Sequence, residues 1–190
     1  ATIHKNKPQV EDKNITYTTA ELTNYAACQK IVENMDYVFM CASISSGAAV
    51  TQSKPMTHVT PNDAMSAFML KAAYEANIKK FLFISSCTIY PISDLPLKER
   101  DDRSGPLFDK YFFVGTMKRY VEDLCRMYGE KIQNPMPIVV VRPTSAYGPY
   151  DDFEWESSHV IPALIRKVVE RHDPIEVWGD GIAIKDIVYV

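Results

Sequence analysis

Three short apolar runs, each preceded by an amphipathic stretch, constrain this chain more than any other feature. The runs are Tyr37–Ala42, Phe81–Ser85 and Ile138–Val141, and the stretches before them are Ala20–Met35, Asn62–Ala76 and Thr116–Tyr128. Runs that are apolar at nearly every position predict strands buried on both faces. Strands that alternate with helices predict βαβ units. Right-handed crossovers then give an α/β fold with a Rossmann-like, doubly wound parallel sheet.

Local signals punctuate this pattern. Thr60-Pro61 places a cap and an N1 proline before Asn62 and predicts a helix start there. Gly129 stands where a C′ glycine would close the third helix. Pro162 to Val169 has helical spacing, and Arg166, Lys167, Arg171 and His172 crowd its end, where cations suit the negative pole. Pro91 to Tyr111 reads as a long loop, a length that tends to carry function.

Composition excludes several classes. The net charge is −3 with both signs interspersed, so no basic face suggests a nucleic-acid partner. No apolar stretch approaches the ~20 residues of a membrane span. Cys28, Cys41, Cys87 and Cys125 sit singly, which predicts free thiols and a reducing, cytoplasmic setting. The seven glycines include no Gly-x-Gly-x-x-Gly, so these residues hold no phosphate-cradling loop of that kind.

In parallel sheets ligands gather outside the carboxyl ends of the strands. Here those ends are Ala42-Ser43, Ser85-Ser86-Cys87-Thr88 and Arg142-Pro143-Thr144-Ser145. Taken in order, four segments resemble the extended short-chain dehydrogenase/reductase family of NAD(P)-dependent nucleotide-sugar epimerases and dehydratases. They are Val38–Ser43, Asn62 with Met69–Ala73, Phe81–Tyr90 with its Ser-Ser-x-x-x-Tyr strand end, and Arg142–Pro149. Tyr147–Phe153, Ser158–Arg166 and Val177–Gly181 are similar to its GDP-L-fucose synthase branch. Ala1–His4 resembles the second strand of the family fold, so about 30 residues would precede it, glycine-rich turn included. Most of the substrate lobe would follow Val190. The resemblance implies a partial cofactor domain over residues 1–150 and the start of a substrate region over 151–190.

It also implies NADP, or NAD, as cofactor and a nucleotide-diphosphate sugar as substrate. The reaction would be 3,5-epimerisation and 4-reduction of a GDP-4-keto-6-deoxy-hexose, or a related step. Ala42, Ser43, Lys118, Pro143 and Ser145 would face the cofactor. Asn62, Asp152, Trp178 and Lys185 would face the sugar nucleotide. Ser86, Thr88, Lys118 and His159 would be catalytic, with Thr88 in the position of the branch's cysteine base. A strand-end serine also caps backbone, and a histidine before a helix also caps it; both readings stand. His4 and Lys5 would favour the 2′-phosphate of NADP. By analogy the helices Asn62–Ala76 and Thr116–Tyr128 would form a homodimer.

One position departs from the family. Its proton-exchanging tyrosine, four residues before the lysine, is Val114 here. A valine exchanges no proton, and loss of a positioned acid/base typically costs ~10²–10⁴-fold. Tyr111 is the first candidate to replace it if the helix start is irregular. A degenerate homologue that binds without turnover is the competing expectation.

Overall fold

The computed structural model describes residues 1–45, 53–155, 157–177, 179–182 and 184–190. Its centre is a three-stranded parallel sheet of β3 (Tyr37–Met40), β4 (Lys80–Ile84) and β5 (Ile138–Val141), with β4 in the middle. Upstream, β1 (Thr2–Ile3) and β2 (Thr18–Thr19) form a short parallel pair. Downstream, β6 (Ser145–Tyr147) pairs in parallel with β7 (Ile187–Tyr189). Among the described residues every strand pair is thus parallel, as the alternation of runs and helices predicts.

Helix α1 (Tyr25–Val32) starts at Asn24, whose side chain accepts the Ala27 N–H at 3.2 Å. Helix α2 (Met56–Glu75) begins six residues ahead of Asn62, so Pro61 lies inside it rather than at its first position. Pro61 withholds one ladder bond, and the turn before it keeps its own. The Pro55 carbonyl accepts from the His58 and Val59 N–H groups, and Thr57 Oγ1 donates to the Lys54 carbonyl at 2.7 Å.

Helix α3 (Phe112–Arg126) continues into a wider π-turn, Met127–Lys131. Gly129 sits within that turn and is not the C′ residue its position suggests. The chain turns there because the Tyr128 carbonyl accepts the Met136 N–H, which leads directly into β5. Helix α4 (Val160–Val169) keeps Arg166 and Lys167 in its last turn. Arg171 and His172 fall beyond its end, with Arg171 at φ 58°.

The register explains which side chains form the core. Val38, Phe81 and Ile138 align across the sheet, as do Met40, Phe83 and Val140. These pack with Cys28 and Val32 of α1, Met69, Leu70 and Ala73 of α2, and Val121 and Cys125 of α3. Side chains alternate between the faces of a strand, so Tyr37, Phe39, Val139 and Val141 project the other way, and all four are exposed. The strands are therefore not buried on both faces among the described residues. α1, α2 and α3 gather on one face, and an all-apolar run cannot report how many of its faces are covered.

Candidate active site

The carboxyl ends of β3, β4 and β5 lie side by side, and the chain's polar strand ends meet there. β4 leads into Ser86 and a 3₁₀ turn, Cys87–Ile89. Ser86 Oγ accepts the Thr88 N–H at 3.2 Å and the Thr88 hydroxyl at 3.0 Å, so the two predicted catalytic hydroxyls form one pair. From β5, the Val141 carbonyl accepts the Ser85 N–H and the Pro143 carbonyl accepts the Cys87 N–H, at 2.8 and 3.2 Å. Pro143 is thereby fixed against the Ser86 turn. Cys87 itself is exposed.

Helix α3 presses on this turn at Gly115, where a Cβ would stand 2.6 Å from the Thr88 carbonyl oxygen. One turn on, Lys118 reaches back to β4. Its Nζ donates to the Ile84 carbonyl at 2.8 Å and lies 4.8 Å from the Phe83 ring centre. Burial pushes the Lys118 ammonium below the ordinary lysine range, and the Glu122 charge opposes that shift. Lys118, Ser86 and Thr88 are thus parts of one strand-end assembly.

At the end of β3, Ala42 and Ser43 are exposed and lead to Ile44. Asn62 of α2 is buried and brackets Ile44. Its Oδ1 accepts the Ile44 N–H at 2.8 Å, its Nδ2 donates to the Ile44 carbonyl at 2.9 Å, and Ser43 Oγ donates to the same Oδ1 at 3.3 Å. Both ends of the amide are engaged by the loop it supports.

The remaining predicted residues sit on the β6–β7 unit and α4. Ser145 is exposed and pairs in register with Ile187, so exposed Lys185 lies two residues upstream at the same end. His159 is the exposed N-cap of α4, and its side chain makes no capping hydrogen bond. Asp152 is held below the usual carboxylate range, first by a hydrogen bond from Ser157, then by the Glu154 N–H and His159. Among the described residues, no hydrogen bond or ion pair ties His159 to Ser86 or Lys118. Trp178 lies outside the described residues. His4 pairs with Glu21 at 2.9 Å, and Lys5 is exposed.

Val114 is half-buried beside Gly115. The helix start is indeed irregular: Asp109–Tyr111 forms a 3₁₀ turn before α3. Tyr111 is exposed there, its ring 5.6 Å from Phe108 in an edge-on contact.

Sequence reasoning missed the carboxylate beneath the assembly. Glu122 is buried, and it accepts Ser85 Oγ at 2.5 Å and Arg142 Nε and Nη2 at 3.0 and 2.6 Å. Arg142 also donates to Tyr90 Oη at 2.9 Å and stands 3.4 Å from Asp102. The bidentate carboxylate holds the Arg142 guanidinium more firmly protonated than usual. The spacing Lys118-x-x-x-Glu122 was the available signal, since it puts both groups on one helix face. Among the described residues, no three His, Cys, Asp or Glu side chains gather to hold a metal.

A family model for the NAD dependent epimerase/dehydratase family matches residues 2–190. The chain belongs to that family. A GDP-L-fucose synthase of Sinorhizobium fredii is 30% identical over 176 residues, which cover 89% of this chain and 55% of that protein. A GDP-mannose 3,5-epimerase of Arabidopsis thaliana is 28% identical over 169 residues, covering 86% of this chain and 44% of that protein. The structure of a GDP-D-glycero-L-gluco-heptose synthase from Campylobacter jejuni, determined in the presence of NADPH, superposes with a TM-score of 0.73 at 27% identity. It shares 82% of this chain and 46% of its own. The chain spans about half the length of these relatives. Membership carries the Rossmann-type α/β fold, which the parallel sheet and its helices display directly.

Proposed function

We propose that this chain forms the cofactor-facing part of an NADP(H)- or NAD(H)-dependent nucleotide-sugar epimerase/reductase. The reaction is 3,5-epimerisation and 4-reduction of a GDP-4-keto-6-deoxy-hexose, or a closely related conversion. The observation that carries this reading is the strand-end assembly, in which Lys118, Ser86 and Thr88 are fixed together at the carboxyl end of the central strand.

The residues present fit one end of the cofactor. The Lys118 ammonium has three protons and uses one on Ile84, which leaves donors for the nicotinamide ribose. Ala42, Ser43, Pro143 and Ser145 supply small surfaces at the neighbouring strand ends. No glycine-rich turn here cradles the pyrophosphate. When bound, the dinucleotide supplies or accepts the hydride.

This chain's own residues do the rest. The Ser86 hydroxyl, positioned by Thr88, hydrogen-bonds the sugar oxygen that gains or loses charge. Lys118 holds the ribose and adds positive charge beside that oxygen. His159 serves the epimerisation as acid. Asn62 acts from behind, through the Ser43–Ile44 loop. Lys185, at one end of β6–β7, receives the nucleotide diphosphate. Lysine offers the charge there without arginine's bidentate fork. Family analogy adds a homodimer through α2 and α3.

A second reading is favoured by Val114: a homologue that binds nucleotide sugar and dinucleotide without turnover. The deciding experiment is Val114→Tyr, assayed by loss of NADPH absorbance with a GDP-4-keto-6-deoxy-hexose. Turnover is expected to rise at least ~10²-fold. An unchanged rate in a protein that binds NADPH, as read by its fluorescence, overturns the assignment of position 114. Absence of NADPH binding by the whole protein that carries this chain overturns the reading as a whole.

A further inference from the structure

The buried carboxylate of Glu122 has no place in the chemistry above. It is only 5% exposed, yet it is surrounded by polar groups. Ser85 donates to one oxygen, and Arg142 donates to both. Arg142 in turn reaches Tyr90 Oη and the Glu99 carbonyl, at 2.9 and 2.6 Å. The Asp102 carboxylate flanks the same guanidinium. One helical turn before Glu122, Lys118 holds the Ile84 carbonyl.

Two consecutive residues of one strand end are thus gripped by two residues of one helix face. Ile84 is held through its backbone and Ser85 through its side chain. Ser86 follows immediately, and the Arg142–Tyr90 bond closes the far side of its turn. A buried ion pair rarely adds net stability over a well-packed apolar pair. Stability alone therefore does not account for three charge-assisted bonds converging on this carboxylate.

We infer that Glu122 is a positioning residue: its carboxylate, anchored by Arg142 and Ser85, fixes where the Lys118 ammonium and the Ser86 turn stand relative to each other. This rests on the reading of Lys118 and Ser86 as the cofactor-side groups. The carboxylate also opposes the burial that would discharge Lys118. Glu122 is bonded by Ser85, just after β4, and Arg142, just after β5, and its charge is felt by Lys118, Arg119 and Cys125 of its own helix α3. Burial loosens the protons of both Lys118 and Arg119, and Arg119 donates to the Ile89 carbonyl at 2.9 Å; Lys118 is the one of the two that carries an amine an amine reagent reads.

The test needs neither cofactor nor sugar, so its failure is distinct from failure of the functional reading. Lys118 is labelled with trinitrobenzenesulfonate at a fixed pH below its midpoint and quantified by peptide mass spectrometry. Glu122→Gln keeps the side-chain shape and removes the charge. It is expected to raise Lys118 labelling at least about threefold, because more of the amine is unprotonated. Equal labelling in a folded Glu122→Gln variant overturns the inference.

If the lone Arg142 charge prevents folding, the double variant Glu122→Gln with Arg142→Gln removes both ions of that pair and leaves Asp102 its ion pair with Arg103 at 3.7 Å, and a rise in Lys118 labelling is again expected. Ser85→Ala keeps both charges and removes one anchor. It is expected to speed amide exchange across Cys87–Tyr90 while Lys118 labelling stays unchanged. Unaltered exchange there overturns the coupling to the turn.

Discussion

Gly115 shows how much a single missing side chain can decide. It lets the first turn of α3 lie against the Thr88 carbonyl, and a Cβ would intrude to 2.6 Å on backbone that cannot rotate away. Alanine would gain about 1 kcal/mol of helix propensity. It would also force α3 off the turn, an overpacking cost of roughly 1–3 kcal/mol. Gly115→Ala is expected to lower the urea midpoint; a raised midpoint would show that the helix can shift freely. The same residue-scale logic separates what sequence could reveal. Lys118 and Ser86 were legible because their spacing follows motif and secondary structure. Glu122 was not, because a glutamate in an amphipathic helix looks like a solvated one until the fold turns it inward.

Among the elements, α2 and its contact with β3 are the most informative. The family resemblance places Asn62 at the sugar nucleotide, while the structure commits both ends of its amide to Ile44. The helix thereby sets the path of the loop after β3. Asn62→Ala removes these bonds from a part-buried loop, a loss of roughly 1–3 kcal/mol. Its expected mark is faster amide exchange at Ile44, with little change at the centre of β4. Exchange accelerated equally everywhere would instead mean that Asn62 supports the global fold. Helix boundaries were the least legible feature at this scale. Pro61 reads as a first-turn residue, yet α2 extends upstream of it, through a turn whose bonds go to the Pro55 and Lys54 carbonyls. Gly129 reads as a stop, yet α3 widens into a π-turn through contacts with Met136.

At the scale of the chain, pH reports on the core that α1, α2 and α3 form with the sheet. Burial pushes the Cys125 thiol up to about 12 from 9.0, and the Cys28 thiol up to about 11. The folded state holds these protons more tightly than the unfolded chain does. Their contribution to stability is therefore complete below about pH 9 and is lost as pH rises toward 12, roughly 3–4 kcal/mol for Cys125. The urea midpoint is expected to fall between pH 8 and 10.5, with a shallower fall in Cys125→Ala. An identical slope in the variant would place that thiol outside the transition. Among the described residues, Tyr37, Phe39, Val139 and Val141 stand exposed on the other face of the sheet. The apolar runs, their alternation with helices and the motif residues at the strand ends are local properties, so the sequence by itself determined the parallel α/β order and where Lys118 and Ser86 would fall. Which face of each strand is covered, which amide end meets which backbone group, and whether a helix carboxylate points inward depend on contacts between segments far apart in the chain. Only the tertiary structure decided those, because burial and hydrogen bonding are properties of neighbours in space.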